Sequence, residues 1–181
     1  MPAAVKITGR TSTITNSFVN SIIPVLAPSE AEVFEALAIL GQTPETIACS
    51  YCGDKTSEWD HLRPLVRGKR PTGFISEIAN LVPACGKCNQ SKSGQDWHMW
   101  IVGPARQSPR SRGIPDLAVR IERLTAYENW RPPTRVDFET VIPESLWKQH
   151  WENHERMHGS MRECQLVADQ VREAAVRALR A

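Results

Sequence analysis

The 181-residue sequence contains no apolar run near the ~18 residues that a membrane helix requires, and its opening decapeptide, MPAAVKITGR, lacks the apolar centre of a secretory signal. It therefore reads as a soluble, cytoplasmic protein with no membrane partner. No internal repeat or low-complexity tract is present either, which leaves an ordinary globular chain. Net charge is scarce as well: 22 basic residues against 20 acidic ones give only +2.

That near-neutral total hides a segregation. From His61 to Arg112 there are nine basic and two acidic residues, a local charge of +7, so the remaining 13 basic and 18 acidic residues sum to −5. A concentrated basic segment suits a polyanion, because each neutralised phosphate releases condensed counterions. It also suits a solvated surface, and charge alone does not choose between the two.

What is present is the material for one core: 41% hydrophobic and 23% charged residues. Residues 1 to 16, rich in Thr, Ser and Asn, read as an arm or edge strand, and SFVNSIIPVLAP as a short irregular element broken by Pro24 and Pro28. SEAEVFEALAILG predicts a helix, with Ser29 and Glu32 at capping-box spacing, Val33, Phe34, Leu37 and Leu40 on one face, and Gly41 as its stop. EWDHLRP and NLVPAC predict short strands around a Gly/Pro/basic loop, and CNQSKSGQDWHMWIV a helix ended or interrupted near Gly94, which gives a β-β-α order. Beyond the loop GPARQSPRSRGIP, a helix is expected over residues 116 to 129, with Leu117, Ile121 and Leu124 on one face. From Pro143 to Ala181 two helices or one kinked helix are expected, divided at Gly159 and a second capping box, Ser160 to Glu163.

The cysteines carry the sharpest signal. Cys49-x-x-Cys52 and Cys85-x-x-Cys88 are two tight knuckles whose four thiolates fill the tetrahedral shell of Zn²⁺ and leave no position for substrate, so the site would be structural. The absence of a secretion signal argues against disulfides, and the doubled spacing argues against four unrelated buried thiols. Cys164, alone on a late helical segment, reads as an ordinary half-buried thiol.

Zinc accounts for the cysteines but not for the polar residues around them. Asp60 and Asn89 offer a carboxylate and an amide oxygen, the donors of Mg²⁺, and His61 next to Asp60 is placed to act as a general base. Neighbours on a strand point to opposite faces, so Asp60 and His61 can share a site only at a strand end or distortion.

Taken together, YCG, DHLRPLVRGKRP, NLVPACGKCN and the following QSK resemble the HNH, or ββα-metal, endonucleases in their four-cysteine zinc-stapled form, over about residues 49 to 98. The resemblance implies His61 as general base, Asp60 and Asn89 as ligands of a catalytic Mg²⁺ or Mn²⁺, Asn80 as the residue that fixes the loop carrying the histidine, and Lys92 as a basic group near the phosphate. The third family letter is Asn89 rather than histidine, so His98 is a substitute ligand ranked below it. The implied reaction is attack by water on phosphorus, leaving a 5′-phosphate and a 3′-hydroxyl, with the zinc clamping the hairpin to the helix.

The implied organisation is α+β: a mainly helical chain around a small zinc-stapled ββα-metal core. Residues 1–48 form an arm and helix packed on the core, 49–100 the nuclease core, and 101–181 a linker and C-terminal helices for DNA contact or dimerisation. Arg63, Arg67, Lys69, Arg70, Lys87, Arg106, Arg110 and Arg112 are candidate DNA contacts. Trp147, Trp151, His154 and His158 recur as one helical stripe beside His150; core packing and a self-complementary dimer surface both fit it, and a metal site does not, because nothing completes the shell. Trp97, Trp100 and Trp130 read as core.

The leading expectation is a Mg-dependent endonuclease acting on double-stranded DNA, restriction-type and homodimeric. The alternatives are a nicking, mobile-element or toxin-type nuclease of low specificity, and a catalytically silent zinc-stapled DNA-binding module.

Overall fold

Ser29 decides where the first helix of the central unit begins. In the computed structural model, which describes residues 3–180, its hydroxyl accepts from the Glu32 N–H while the Glu32 carboxylate accepts from the Ser29 N–H, the reciprocal box that satisfies two orphan donors. Helix α2 runs Glu30–Ile39, and Gly41 beyond it adopts φ +70, a left-handed stop. Its buried face is Ala36, Leu37 and Leu40 with Val33 packed alongside, whereas Phe34 is exposed. The face shares Val33, Leu37 and Leu40 with the expected one, and small Ala36 rather than the larger Phe34 completes it.

The described residues divide into two compact units, Ile23–Asp137 and the segment up to Ile22 together with the chain from Phe138 onward. In the first, β1 (Glu58–His61) pairs antiparallel with β4 (Leu81–Ala84), Asp60 opposite Val82 and His61 opposite Leu81. Between them β2 (Val66–Arg67) and β3 (Arg70–Pro71) form a two-residue hairpin. Gly68 and Lys69 both take positive φ at its tip, the geometry of a primed turn, so the expected basic loop is a small hairpin displaying Arg67, Lys69 and Arg70.

Helix α3 (Gly86–Lys92) follows β4 directly, and α4 (Trp97–Ile101) follows the break at Ser93 and Gly94, as expected. After an irregular stretch, α5 (Leu117–Trp130) lays Leu124 and Tyr127 into the core, with Leu117 and Ile121 against it. Trp97 and Trp100 are buried in that core and Trp130 packs on its margin, which agrees with the sequence reading of all three. The fold is α+β: helices gathered on two-stranded sheets, with the four cysteines at the HNH-like segment.

The second unit corrects two expectations. In place of an arm or strand up to residue 16, Ile7–Arg10 is a 3₁₀ turn and α1 (Thr11–Asn20) is a helix; residues 1 and 2 lie outside the described residues. The inward face of α1 is Thr11, Ile14, Thr15, Phe18 and Val19, a helical period that an apolar count misses because Thr15 holds a buried position. After the short α6 (Phe138–Val141), α7 is a single helix, Glu144–Arg180, rather than two helices or a helix divided at Gly159 and Ser160. An interior glycine costs a helix only about 1 kcal/mol, too little to end one that packing sustains on both sides.

Packing within this unit also reassigns the aromatic stripe. Trp151, His154 and His158 are buried, and the Nε2 atoms of His154 and His158 lie 3.1 and 3.2 Å from the Thr15 hydroxyl. Phe18 stacks edge-on against His154, and His150 meets the Phe18 carbonyl. The stripe is the seat of α1 and is not a free surface for a second copy. Among the described residues no helix is long and apolar enough to cross a membrane.

Candidate active site and metal centre

The two cysteine knuckles meet beside the Glu58–Ala84 end of the β1–β4 ladder. Cys49 and Cys52 flank a turn in which Gly53, at φ +80, donates to the Cys49 carbonyl; Cys85 follows the second strand and N-caps α3, with Cys88 in its first turn. All four sulfurs lie within 4.8 Å of one another and all four residues are buried. Cys52 and Cys85 sulfurs are 3.7 Å apart, far beyond a disulfide bond. Sulfurs at the corners of a tetrahedron around zinc, each about 2.3 Å from the ion, stand about 3.8 Å apart, so the cluster has the size of a metal shell. Arg112 donates to Cys88 Sγ at 3.5 Å and to Asp54 at 2.8 Å, placing one positive charge against a site that would carry an excess of negative charge when four thiolates hold a divalent ion.

Further along β1, Asp60 turns inward. Its Oδ2 accepts from the Tyr51 hydroxyl at 2.6 Å and lies 3.0 Å from the Lys92 ammonium, itself fully buried on α3. Burial pushes the Asp60 pKa up, opposed first by the Lys92 charge and then by the Tyr51 hydrogen bond. Lys92 also donates to the His61 carbonyl at 2.8 Å, which ties the helix to the last residue of β1.

His61 ends the strand and points elsewhere: its Nε2 is 3.0 Å from the Ser76 hydroxyl, as strand alternation requires of a neighbour of Asp60. Burial, and then the nearby Lys92 charge, lower its pKa to about 4, so the imidazole is neutral at pH 7. Asn80, fully buried, fastens the chain on both sides of this pair. Its Oδ1 accepts from the Arg63 N–H at 2.8 Å, its Nδ2 donates to the Arg63 carbonyl at 3.1 Å and to the Ile75 carbonyl at 3.4 Å, and its own carbonyl accepts from Leu62. Asn89, half-buried, lies on α3 between Cys88 and Lys92.

Comparison with known families bears directly on this segment. Residues 49–95 match the family model described as HNH endonuclease. The segment is an HNH domain. No curated protein and no solved structure matches the chain. Within the HNH domain the metal-capable cysteines bracket the matched region, and His61, Asn80 and Lys92 converge on the His61 end of β1 through the contacts above.

The basic residues named from sequence have different surroundings. Arg67, Lys69 and Arg70 are exposed on the hairpin, and Lys87 on α3 and Arg106 in the following loop are exposed too. Arg110 is exposed but donates to the Val102 carbonyl. Arg63 pairs with Glu128 at 3.1 Å, and Arg112 is engaged at the cysteines. His98 pairs with Glu128 at 2.7 Å and stacks on Trp97. Tyr51 and Ser76, which touch Asp60 and His61, are site residues that sequence reasoning misses. Tyr51 stands inside the first knuckle, CSYC, where a buried aromatic with a polar tip is a readable clue, whereas nothing near Ser76 in sequence marks it.

Proposed function

We propose that the HNH domain is a metal-dependent nuclease that hydrolyses phosphodiester bonds of double-stranded DNA, in a cytoplasmic, restriction-type defence role, with structural zinc held by Cys49, Cys52, Cys85 and Cys88. The observation that carries the reading is His61: a neutral, half-buried imidazole at a strand end, with one nitrogen held by Ser76 and its backbone held by Lys92. Because Ser76 takes Nε2, Nδ1 is the nitrogen that receives the proton of the attacking water. Asn80 keeps that imidazole in place by fastening residues 63 and 75 around it.

Asp60 and Asn89 carry the oxygen donors that a hard cation takes, and Mg²⁺ or Mn²⁺ held there would stabilise charge on the phosphate and the departing 3′ oxygen. The exposed hairpin of Arg67, Lys69 and Arg70 is suited to the sugar-phosphate backbone. A homodimer would bring two such sites to the two strands; with the histidine stripe covered by α1, such a pair would have to use other surface, such as exposed Leu166, Val167 and Val171 of α7.

A second reading is a DNA-binding module without catalysis. One observation favours it: the Asp60 carboxylate is already engaged by Tyr51 and Lys92. Cleavage of supercoiled plasmid by the whole chain, with Mg²⁺, with Mn²⁺ and with EDTA, separates the two. Wild type should cut only with a divalent ion, and His61→Ala should bind DNA normally but cut about 10² to 10⁴ times more slowly. Undiminished cutting by His61→Ala would remove the assignment, and DNA binding with no cleavage under any metal would favour the silent module.

A further inference from the structure

The HNH match ends at residue 95, yet a residue 40 positions later stands beside the hairpin that follows His61. Residues 74 to 76 are a short stretch with a bridge residue at each end, the His61 partner Ser76 at one of them. At its other end Phe74 forms an antiparallel bridge with Arg135, and Val136 donates to the Gly73 carbonyl at 2.8 Å. Gly73 has φ +96, and a Cβ there would stand 3.0 Å from the Val136 carbonyl, so this close approach requires glycine.

The bridge sets the Arg135 guanidinium 5.2 Å over the Phe74 ring, with Nη2 donating to the Thr72 carbonyl at 3.3 Å. Arg135 therefore lines a cleft of about 410 Å³ with Pro64, Arg67, Thr72 and Phe74. Both arginines are exposed, and among the described residues neither is paired with a carboxylate. Glu77, the nearby acid, is occupied by the Thr134 N–H and hydroxyl. Two guanidiniums face one polar cleft, and one of them is held by an aromatic ring and a carbonyl with its remaining N–H groups unspent. That is the arrangement for bidentate capture of a phosphate.

We propose that Arg67 and Arg135 form a second phosphate subsite, which takes a backbone phosphate of the same strand beside the one attacked at His61. The cleft begins at Pro64, three residues from His61, and Phe74 lies two residues, roughly 6.6 Å of extended chain, from Ser76. The subsite rests on the reading of this protein as one that binds DNA. It adds a residue outside the HNH domain that positions substrate without entering the chemistry.

The test is fluorescence anisotropy of a labelled short duplex over a salt series in EDTA, which reads binding without cleavage. The proteins are wild type, Arg135→Ala, Arg67→Ala, the double variant, Arg135→Lys, and Lys148→Ala as a distant basic control. Each arginine lost should weaken binding several-fold and lower the slope of log K against log salt by about one, and the double variant by about two. Lysine at 135 should restore the slope but only part of the affinity, because it keeps the charge and loses the fork.

A wild type that binds no duplex would overturn the DNA reading and the subsite together. A wild type that binds, with a double variant of equal affinity and slope, would overturn the subsite alone, as would an equal loss in Lys148→Ala. Should Arg135→Ala fail to fold, Arg67→Ala on the exposed hairpin tests the same subsite through its own slope, and an unchanged slope there would overturn it.

Discussion

Lys92 reaches from α3 to place its ammonium 3.0 Å from Asp60 Oδ2, with 0% and 6% of the two side chains exposed to solvent. Removing one partner of such a buried pair leaves a charge with no compensation, a loss of about 3 to 5 kcal/mol, whereas replacing both removes two desolvation costs at once. Lys92→Met should therefore destabilise the protein by that amount, and Lys92→Met with Asp60→Asn should recover most of it. Denaturant midpoints of the four proteins, each loaded with zinc, measure the coupling. Losses that simply add would mean that the contact contributes nothing specific.

The cysteine cluster predicts one tightly bound zinc per chain. A structural zinc supplies an apparent ~10 to 16 kcal/mol, comparable with the ~5 to 15 kcal/mol stability of a whole domain. Cys85→Ser should thus lose the metal and the cooperative unfolding of the unit that contains it, while Cys164→Ser, at an exposed position on α7, should change neither. Metal analysis and thermal unfolding check both. Less than half a zinc per chain in folded wild-type protein would contradict the assignment.

What can be read from the sequence divides along physical lines. The knuckles, the Asp60–His61 pair, the strands around them and the Ser29 cap are legible because each is a local pattern whose spacing is itself the constraint. Tyr51 and Ser76 are harder because tertiary contacts bring them to Asp60 and His61, and Arg135 is harder because only a bridge to Phe74 sets its place. The N-terminal helix escapes a sequence reading for a related reason: a threonine that pairs with two histidines 139 and 143 residues away looks like surface until those partners are in view. Arg63, Arg112 and His98 show the same limit, since their charges can be counted but their partners Glu128 and Asp54 cannot be read from spacing.

The unbroken α7 gives a stability prediction. Gly159 lies inside it, and a Cβ there would meet only the Arg162 guanidinium, at 3.9 Å. Alanine removes the entropic cost of glycine in a helix without a clash, so Gly159→Ala should stabilise by up to about 1 kcal/mol. Calorimetry should record a higher unfolding temperature with unchanged zinc content. A lower one would mean that the helix bends at this position.

Asn80 offers the most direct test of how the scaffold serves the site. Its amide makes one bond as acceptor and two as donor, to Arg63 and Ile75, and it does so fully buried. Asn80→Ala would leave a buried N–H and two carbonyls without these partners, which should cost about 1 to 3 kcal/mol, a sum the domain can absorb when zinc is bound. Asn80→Asp keeps the acceptor for Arg63 but turns both donors into repulsive contacts with carbonyl oxygens, so it should be at least as damaging despite its near-identical shape. If Asn80 holds the His61 segment in place, Asn80→Ala should lower the rate of plasmid cleavage at saturating protein while leaving duplex affinity in EDTA within about twofold of wild type, since an imidazole displaced by about 1 Å loses catalysis before binding. A variant with weakened affinity and an undiminished saturated rate would place Asn80 in DNA binding instead, and one with both intact would leave it a role in stability alone.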